Sequence, residues 1–165
     1  MMLDSETTAL APREDHVEEH DDELRLLLRL LSSTTVIEGI LRTRLRKKFD
    51  VTAARFDLMA QLDRLPNGMN LSDISEKMMV SNGNVTGLVD RLVETGHIDR
   101  RTSIYDGRVK VIRLTKVGRA EFRKMATAHK KWVAEIFSDL EAKDVRELMR
   151  LLDKTKISAR NAVVA

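Results

Sequence analysis

Residues 70–115 constrain the fold of this chain more than any other stretch, because they combine two short helix patterns with a hairpin pattern. The apolar residues of the second helix pattern recur at i, i+3, i+4 and i+7, as Val85, Leu88, Val89 and Leu92. This spacing predicts one buried stripe of a helix. Gly83 and Gly87 fall on the opposite face, where small residues let the backbone lie close to another surface. We therefore predict a helix-turn-helix whose second helix approaches a DNA groove.

Polar residues stand where these helices should begin. Ser81 precedes the second helix and can accept a hydrogen bond from one of its unpaired backbone N–H groups. Asn70 precedes the first helix, with Asp73 three residues later, in an arrangement that resembles a capping box. The other predicted helices cover residues 21–48, 53–65, 116–139 and 142–159, with Thr52 and Thr115 as further caps.

A two-stranded ribbon is predicted after the helix-turn-helix. Two β-branched runs, residues 98–102 and 109–113, flank a loop that contains Asp106-Gly107, and an Asp-Gly pair between such runs is typical of a hairpin. Basic residues are concentrated here, as Arg100, Arg101, Arg108, Lys110 and Arg113. An arginine at a hairpin tip suits insertion into a narrow minor groove, where the negative potential of DNA is greatest.

The two segments together resemble the winged helix-turn-helix of the MarR (multiple antibiotic resistance regulator) family. The wing motif of that family is matched by Asp106, Arg108, Leu114 and Thr115. The motif of its recognition helix is matched by Val80, Ser81, Val85, Thr86, Leu88, Val89, Asp90, Arg91, Leu92 and Gly96. The resemblance implies a mainly α fold with a small β-wing, in which a winged helix-turn-helix is joined to dimerisation helices. It also implies a transcriptional regulator, which we interpret as a repressor.

The residue types and the resemblance together suggest roles at the DNA surface. Asparagine pairs naturally with adenine, and arginine with guanine or phosphate. The residues expected in the major groove are Ser81, Asn82, Asn84, Thr86 and Arg91. The residues expected at phosphates are Arg100, Arg101 and Lys110. We expect Arg108 to enter the minor groove, with Asp106 orienting it or holding the hairpin tip.

Two positions on this face have an alternative interpretation. Ser81 could serve only as a helix cap, although one hydroxyl can do both jobs. Asp90 has the wrong charge for DNA, so we expect it to pair with Arg91 or with an arginine of the wing. Many members of the family have a longer side chain where Gly83 or Gly87 stands, so direct base readout is expected to be limited.

The distribution of charge also favours a polyanionic partner. Residues 1–25 hold nine acidic and two basic side chains, which leaves 27 basic and 17 acidic side chains in the remainder, a net charge of +10. A strongly basic body is the electrostatic footprint expected of a protein that binds double-stranded DNA.

The predicted domains follow from these patterns. They are an acidic flexible tail (1–20), an N-terminal dimerisation helix (21–50), a winged helix-turn-helix (51–115) and C-terminal dimerisation helices (116–165). The helix at 21–50 is apolar enough to need cover that so short a chain does not supply, and a partner subunit would supply it. A two-fold homodimer would place two recognition helices one helical turn apart, ~34 Å, and read a pseudo-palindromic operator.

The resemblance further implies a small-molecule effector. MarR-like proteins commonly bind aromatic anions between the DNA-binding lobe and the dimerisation helices, and ligand then shifts the population of DNA-binding states. The residues that could line such a pocket are Phe56, Met59, His129, Trp132 and Phe137. Each of these could instead be a plain core residue. The alternative function is a DNA-binding regulator that responds to no ligand.

A weaker resemblance concerns the branch of the family that controls hydroxycinnamate catabolism and responds to aryl-CoA thioesters. It rests on residues 55–62 and 78–87. A basic cluster that could meet the phosphates of hydroxycinnamoyl-CoA consists of Arg42, Arg44, Arg46, Lys47 and Lys48, with Arg55. The same cluster could instead complement the dipole of its own helix or contact the DNA backbone.

Composition argues against several other classes of protein. The chain has no cysteine and only four histidines, and none of these lies at metal-ligand spacing from a carboxylate, so we predict neither thiol chemistry nor a metal site. We find no grouping of nucleophile, acid and base and no phosphate-binding loop, so we predict no enzyme and no cofactor. No apolar run reaches the roughly 20 residues of a membrane span, and we expect a cytoplasmic protein. A purely structural helical dimer would not need the basic wing.

Overall fold

The computed structural model describes residues 19–103 and 109–163. Its elements are α1 (Glu19–Phe49), α2 (Ala53–Asp63), α3 (Leu71–Met78), α4 (Asn82–Glu94), β1 (Ile98–Thr102), β2 (Lys110–Leu114), α5 (Lys116–Ile136) and α6 (Ala142–Ala162). The predicted fold class, mainly α with a small antiparallel wing, is confirmed. Helix ends differ from the prediction by up to three residues, since α5 ends earlier and α6 ends later than expected.

The predicted helix caps are confirmed. The side chains that accept a hydrogen bond from the backbone N–H three residues later are those of Thr52, Asn70, Ser81 and Thr115. Each satisfies an N–H group that the first turn of a helix leaves unpaired. The arrangement at Asn70 differs from the expected capping box, because the Asp73 carboxylate accepts a hydrogen bond from the Asn70 side-chain amide (2.9 Å).

The wing is built on three backbone segments. β1 and β2 pair antiparallel over their whole length, and β2 begins one residue later than predicted. Met69, just before α3, extends the sheet, because its N–H and its carbonyl bond to Ile112 at 3.0 and 2.8 Å. Gly68 makes this approach possible. It has φ +89°, and a Cβ there would lie 2.8 Å from the Ile112 carbonyl oxygen, so only glycine fits.

The core lies among α2, α3, α4, the sheet and the first half of α5. Its most completely buried side chains are Leu45, Val51, Leu58, Met59, Leu62, Ile74, Val85, Val89, Leu92, Ile98 and Met125. Within α3, Ile74 and Ser75 are buried, whereas Leu71 and Met78 are half-buried. The Ser75 hydroxyl donates to the Leu71 carbonyl (3.0 Å), so this buried polar group is satisfied.

Helix α5 begins directly against the segment that joins α4 to β1. The Thr115 hydroxyl donates to the Gly96 carbonyl at 2.7 Å. A Cβ at Gly118 would lie 2.0 Å from the His97 carbonyl oxygen, which is too close for any side chain. The first turn of α5 is therefore packed onto the end of the helix-turn-helix.

Two surfaces remain apolar and exposed, and they lie in the two units into which the chain divides, one ending at Gly39 and one beginning at Ile40. In the first unit, the exposed apolar side chains of α1 are Leu24, Leu26, Leu27, Leu28, Leu31 and Val36. In the second unit, those of α6 are Leu148, Met149, Leu151, Leu152 and Ile157. No residue of α6 is buried.

Candidate nucleic-acid interface

The outer face of α4 is open, as the sequence pattern predicted. A Cβ added at Gly83 or Gly87 meets no described atom within 4 Å. Ser81, Asn84 and Arg91 are exposed beside these glycines, and Thr86 is half-buried. The side chain of Asn82 lies outside what the structure describes. This face combines low bulk with exposed donors and acceptors, which is what reading base edges in a major groove requires.

An ion pair ties this helix to the wing. The Asp90 carboxylate, on the same side of α4, accepts a hydrogen bond from the Arg100 guanidinium of β1. The expectation that Asp90 pairs with a wing arginine rather than meeting DNA is therefore supported. The pair also places a predicted phosphate-binding residue beside the recognition helix.

A second acidic residue organises two more arginines of the wing. Asp99 accepts hydrogen bonds from Arg101 (2.8 Å) and Arg113 (3.0 Å). Burial would raise the pKa of the Asp99 carboxyl, but these guanidinium groups outweigh it and hold the pKa below its usual value. Asp99 therefore stays ionised and fixes two cations on one strand pair, which reduces the entropy cost of presenting them to a phosphate backbone.

The wing borders an open cavity of about 320 Å³ whose lining includes two arginines. The residues that line it are Asn67, Gly68, Arg101, Thr102, Ser103, Val111 and Arg113. Sequence reasoning included Arg101 among the DNA contacts but not Asn67 or Arg113. Asn67 lies in a turn far from the wing in sequence, and only the pairing of Met69 with Ile112 brings that turn to β2. No signal in the sequence marked it.

Of the other residues predicted for the wing, Lys110 lies within the described residues, whereas two do not. The Lys110 ammonium donates to the Thr102 hydroxyl at 2.8 Å and is exposed. Asp106 and Arg108, predicted for the hairpin tip and the minor groove, lie outside the described residues. The roles assigned to them remain predictions.

A charged cluster joins the helix-turn-helix to α5. Glu121 of α5 accepts a hydrogen bond from Arg55 of α2 (2.9 Å) and is hydrogen-bonded to the His97 ring. The other ring nitrogen of His97 lies 2.7 Å from the Thr95 hydroxyl. A further ion pair between the same helices joins Arg119 to Asp63 at 2.7 Å. Displacement of α5 would therefore be transmitted to the end of α4 through polar contacts as well as through packing.

The arginines predicted for an effector do not form one cluster. Arg55 is paired with Glu121, and Arg44 is paired with Glu135 at 2.5 Å. Arg42 and Arg46 line an open groove of about 430 Å³, and the Arg46 guanidinium also lies 3.8 Å from the Asp50 carboxylate. The other residues of this groove are Val51, Thr52, Ala53 and Ala54. None of the predicted aromatic residues is among them.

The predicted aromatic residues do lie together. Phe56 stacks on His129, with ring centroids 4.6 Å apart, and His129 lies 6.5 Å from Trp132. Burial lowers the pKa of His129, and the Asp57 carboxylate opposes this only in part. Met59 is completely buried and Phe56 nearly so, so within this structure they are core, whereas His129 and Trp132 are half-buried. Phe137, at the end of α5, is exposed.

The described residues contain no grouping of three or more potential ligands that could hold a metal ion. None of the described helices is long and apolar enough to cross a membrane. What the described surface offers is an open helix face and a wing edged with arginines.

Comparison with known proteins leads to the same class of protein, a regulator that binds DNA. Residues 51–110 match the model of the MarR family. A MarR family transcriptional regulator from Silicibacter pomeroyi superposes with a TM-score of 0.72 at 30 % identity, over 86 % of this chain and 97 % of that one. A mutant of MarR from E. coli, complexed with operator DNA, has a TM-score of 0.68 at 26 % identity, over 81 % and 96 %. The transcriptional activatory protein BadR of Rhodopseudomonas palustris is 27 % identical over 139 residues, 80 % of this chain and 79 % of BadR.

The fold and the open α4 face define a winged helix-turn-helix DNA-binding protein. The chain belongs to the MarR family of transcriptional regulators.

Proposed function

We propose that this regulator is a cytoplasmic homodimer that represses transcription by binding a pseudo-palindromic operator, and that a small aromatic ligand releases it. The observation that carries the DNA-binding part is the open outer face of α4. It combines two glycines, at which an added Cβ would meet no described atom beyond the helix's own backbone within 4 Å, with exposed Ser81, Asn84 and Arg91. The fixed arginines of the wing supply the charge that phosphate binding needs.

The exposed face of α6 supports the homodimer. Leu148 and Leu152 are four residues apart on one helix, and both are exposed along with Leu151 and Met149. A contiguous apolar surface on a helix is usually covered in the functional protein. A second copy of the chain brings a matching surface, since closed two-fold pairing is the commonest form of self-association.

The half-buried pair His129 and Trp132 supports an aromatic effector. Their rings lie at the edge of the core on α5, whose first turn is packed against the end of the helix-turn-helix. A ligand that inserts beside them would bind one position of α5 better than another and so shift the DNA-binding population.

The second candidate ligand is an aryl-CoA thioester. The relatives named above give it no support. Two of the arginines assigned to its phosphates, Arg44 and Arg55, are paired with glutamates. The phosphates of a CoA thioester would instead meet Arg42 and Arg46, which line the open groove beside Val51.

The DNA-binding part is tested by selecting duplexes from a random library with the full-length protein and measuring their affinity by fluorescence anisotropy. We expect an enriched site with two-fold symmetry and half-sites one helical turn apart. Arg101→Ala should weaken binding at all sequences and reduce the slope of log affinity against log salt by about one. Lys130→Ala, an exposed lysine of α5, is the matched control. Enrichment of no site would refute DNA reading, and an enriched site without symmetry would refute the dimer.

The effector is tested on the same complex by adding a free hydroxycinnamic acid or its CoA thioester. Trp132 is the single tryptophan of the chain, so its fluorescence reports ligand beside it. Release by the free acid, with a change in this fluorescence, would support a simple aromatic pocket. Release by the thioester alone, reduced by Arg42→Ala, would support the CoA class. Affinity that neither compound changes would favour the ligand-independent regulator.

A further inference from the structure

The turn between α3 and α4 carries an exposed apolar side chain on an unfavourable backbone. Met79 is 91 % exposed and has φ 53° and ψ 41°. This left-handed conformation is disfavoured by a Cβ and is therefore usually occupied by glycine at the end of a helix. The backbone N–H of Met79 bonds to the Glu76 carbonyl at 3.1 Å, a contact that glycine would make equally well. Folding therefore gains nothing from this methionine side chain.

Its position is continuous with the surface that reads DNA. Met79 stands two residues before Ser81, the cap of α4. The two residues line one shallow, open depression. The residues that line this surface are Ser72, Ser75, Glu76, Met79, Val80 and Ser81. A duplex that meets the first turn of α4 would therefore also lie beside Met79.

The chemistry of this concave surface selects among the groups that DNA presents. Glu76 disfavours a phosphate, because the two charges repel. Met79 and the 40 % exposed Val80 offer apolar surface instead. The apolar group that a major groove presents is the 5-methyl group of thymine, and a methionine side chain is flexible enough to follow it.

We propose that Met79 contacts the 5-methyl group of a thymine in each operator half-site and thereby adds to sequence specificity. The inference rests on the proposed function, because it requires α4 to lie in the major groove. The contact would explain why methionine stands at this left-handed position, since glycine would relieve the strain but would remove the contact.

The test uses the full-length protein and the duplex that it selects from a random library. Each thymine of that duplex is replaced singly by deoxyuridine, which keeps the base pair but removes the methyl group. We expect one position per half-site where deoxyuridine weakens the wild-type protein about fourfold, the factor for about one methyl group removed from water. Met79→Gly should be insensitive at that position, and Met79→Leu should stay sensitive. The Gly variant should also unfold at the same temperature as the wild type or higher.

The possible outcomes distinguish a failure of the methyl contact from a failure of the proposed DNA binding. If wild type and Met79→Gly show the same deoxyuridine penalties at every thymine, the methyl contact is refuted while DNA binding stands. A lower unfolding temperature for Met79→Gly would contradict the premise that glycine relieves strain at this position. If the wild type selects no duplex, both the proposed function and this inference fail.

Discussion

The winged helix-turn-helix and the last helix of this protein differ in the burial of their apolar side chains. In the former, residues such as Leu58, Ile74 and Val89 have no exposed surface. In α6, which is equally regular, Leu148, Leu151 and Leu152 are exposed and no residue is buried. The core of the DNA-binding module is closed with the help of Leu45 of α1 and Met125 of α5, whereas the apolar side chains of α6 stay exposed among the described residues. Stability of the first is therefore expected to be intrinsic, and that of the second to depend on association.

The largest effect is expected in the core of the module. Leu58→Ala should lower the free energy of unfolding by about 2–5 kcal/mol, because it removes buried contacts and leaves a cavity. Leu65→Ala, at a leucine that is 39 % exposed, should change it by less than about 0.5 kcal/mol. Urea unfolding at one protein concentration measures both. Equal losses would contradict the contrast between buried and exposed positions.

The next effect concerns α6. Leu148→Lys combined with Leu152→Lys should abolish self-association, because two charges would enter an apolar interface. Operator affinity should fall about 100-fold, since the two half-sites would no longer be bound by linked subunits. Sedimentation equilibrium and anisotropy measure the two quantities. Lys154→Gln on the same helix serves as the control. A double variant that remains dimeric would show that another surface holds the subunits together.

Two glycines differ in the space around them, which is filled at Gly118 and open at Gly87. Gly118→Ala should lower the free energy of unfolding by about 1–3 kcal/mol, because its Cβ would meet the His97 carbonyl oxygen, which is a rigid backbone atom. Gly87→Ala should raise it by up to about 1 kcal/mol, because open space surrounds this helix position. We also expect Gly87→Ala to weaken operator binding, since its methyl group would stand on the DNA side. Unchanged affinity would place the DNA on another face of α4.

The smallest effect is one of pH, at the edge of the module. Burial lowers the pKa of His129 in the folded state, so below about pH 6.5 the unfolded chain binds the proton more readily. The stability that His129 contributes is therefore present above the unfolded pKa and is lost as the pH falls through it towards the folded pKa. His129→Gln should reduce the slope of unfolding free energy against pH between pH 5 and pH 7. An unchanged slope would show that other groups account for it.

Periodicity and local chemistry predicted much of the module. The predicted stripe and the cap at Ser81 depend on residues a few positions apart, so the sequence displays them directly. Val85, Val89 and Leu92 of that stripe are buried, and Leu88 is half-buried. Ser75 of α3 is buried, and its hydroxyl donates to the Leu71 carbonyl. Periodicity alone treats a serine as a surface residue, so it does not predict this burial.

The candidate effector site stays a prediction. The sequence does not display that Arg55, one of its expected cations, pairs with Glu121, 66 residues away. The aromatic residues were grouped correctly, yet whether each is core or pocket depends on how α2 and α5 pack. The left-handed backbone of Met79 was not foreseen, because methionine is not a residue that marks such a turn.

The sequence by itself determined the order of elements, the helix caps, most of the buried stripe of α4 and the basic wing, because each follows from residue types at short spacing. Tertiary structure alone decided which charges are paired. It assigned Asp90 to Arg100 and Asp99 to Arg101 and Arg113, and it brought Met69 to Ile112 to extend the sheet. It also showed that no residue of α6 is buried among the described residues. These facts depend on how side chains and separate elements come together, which only the packed chain sets.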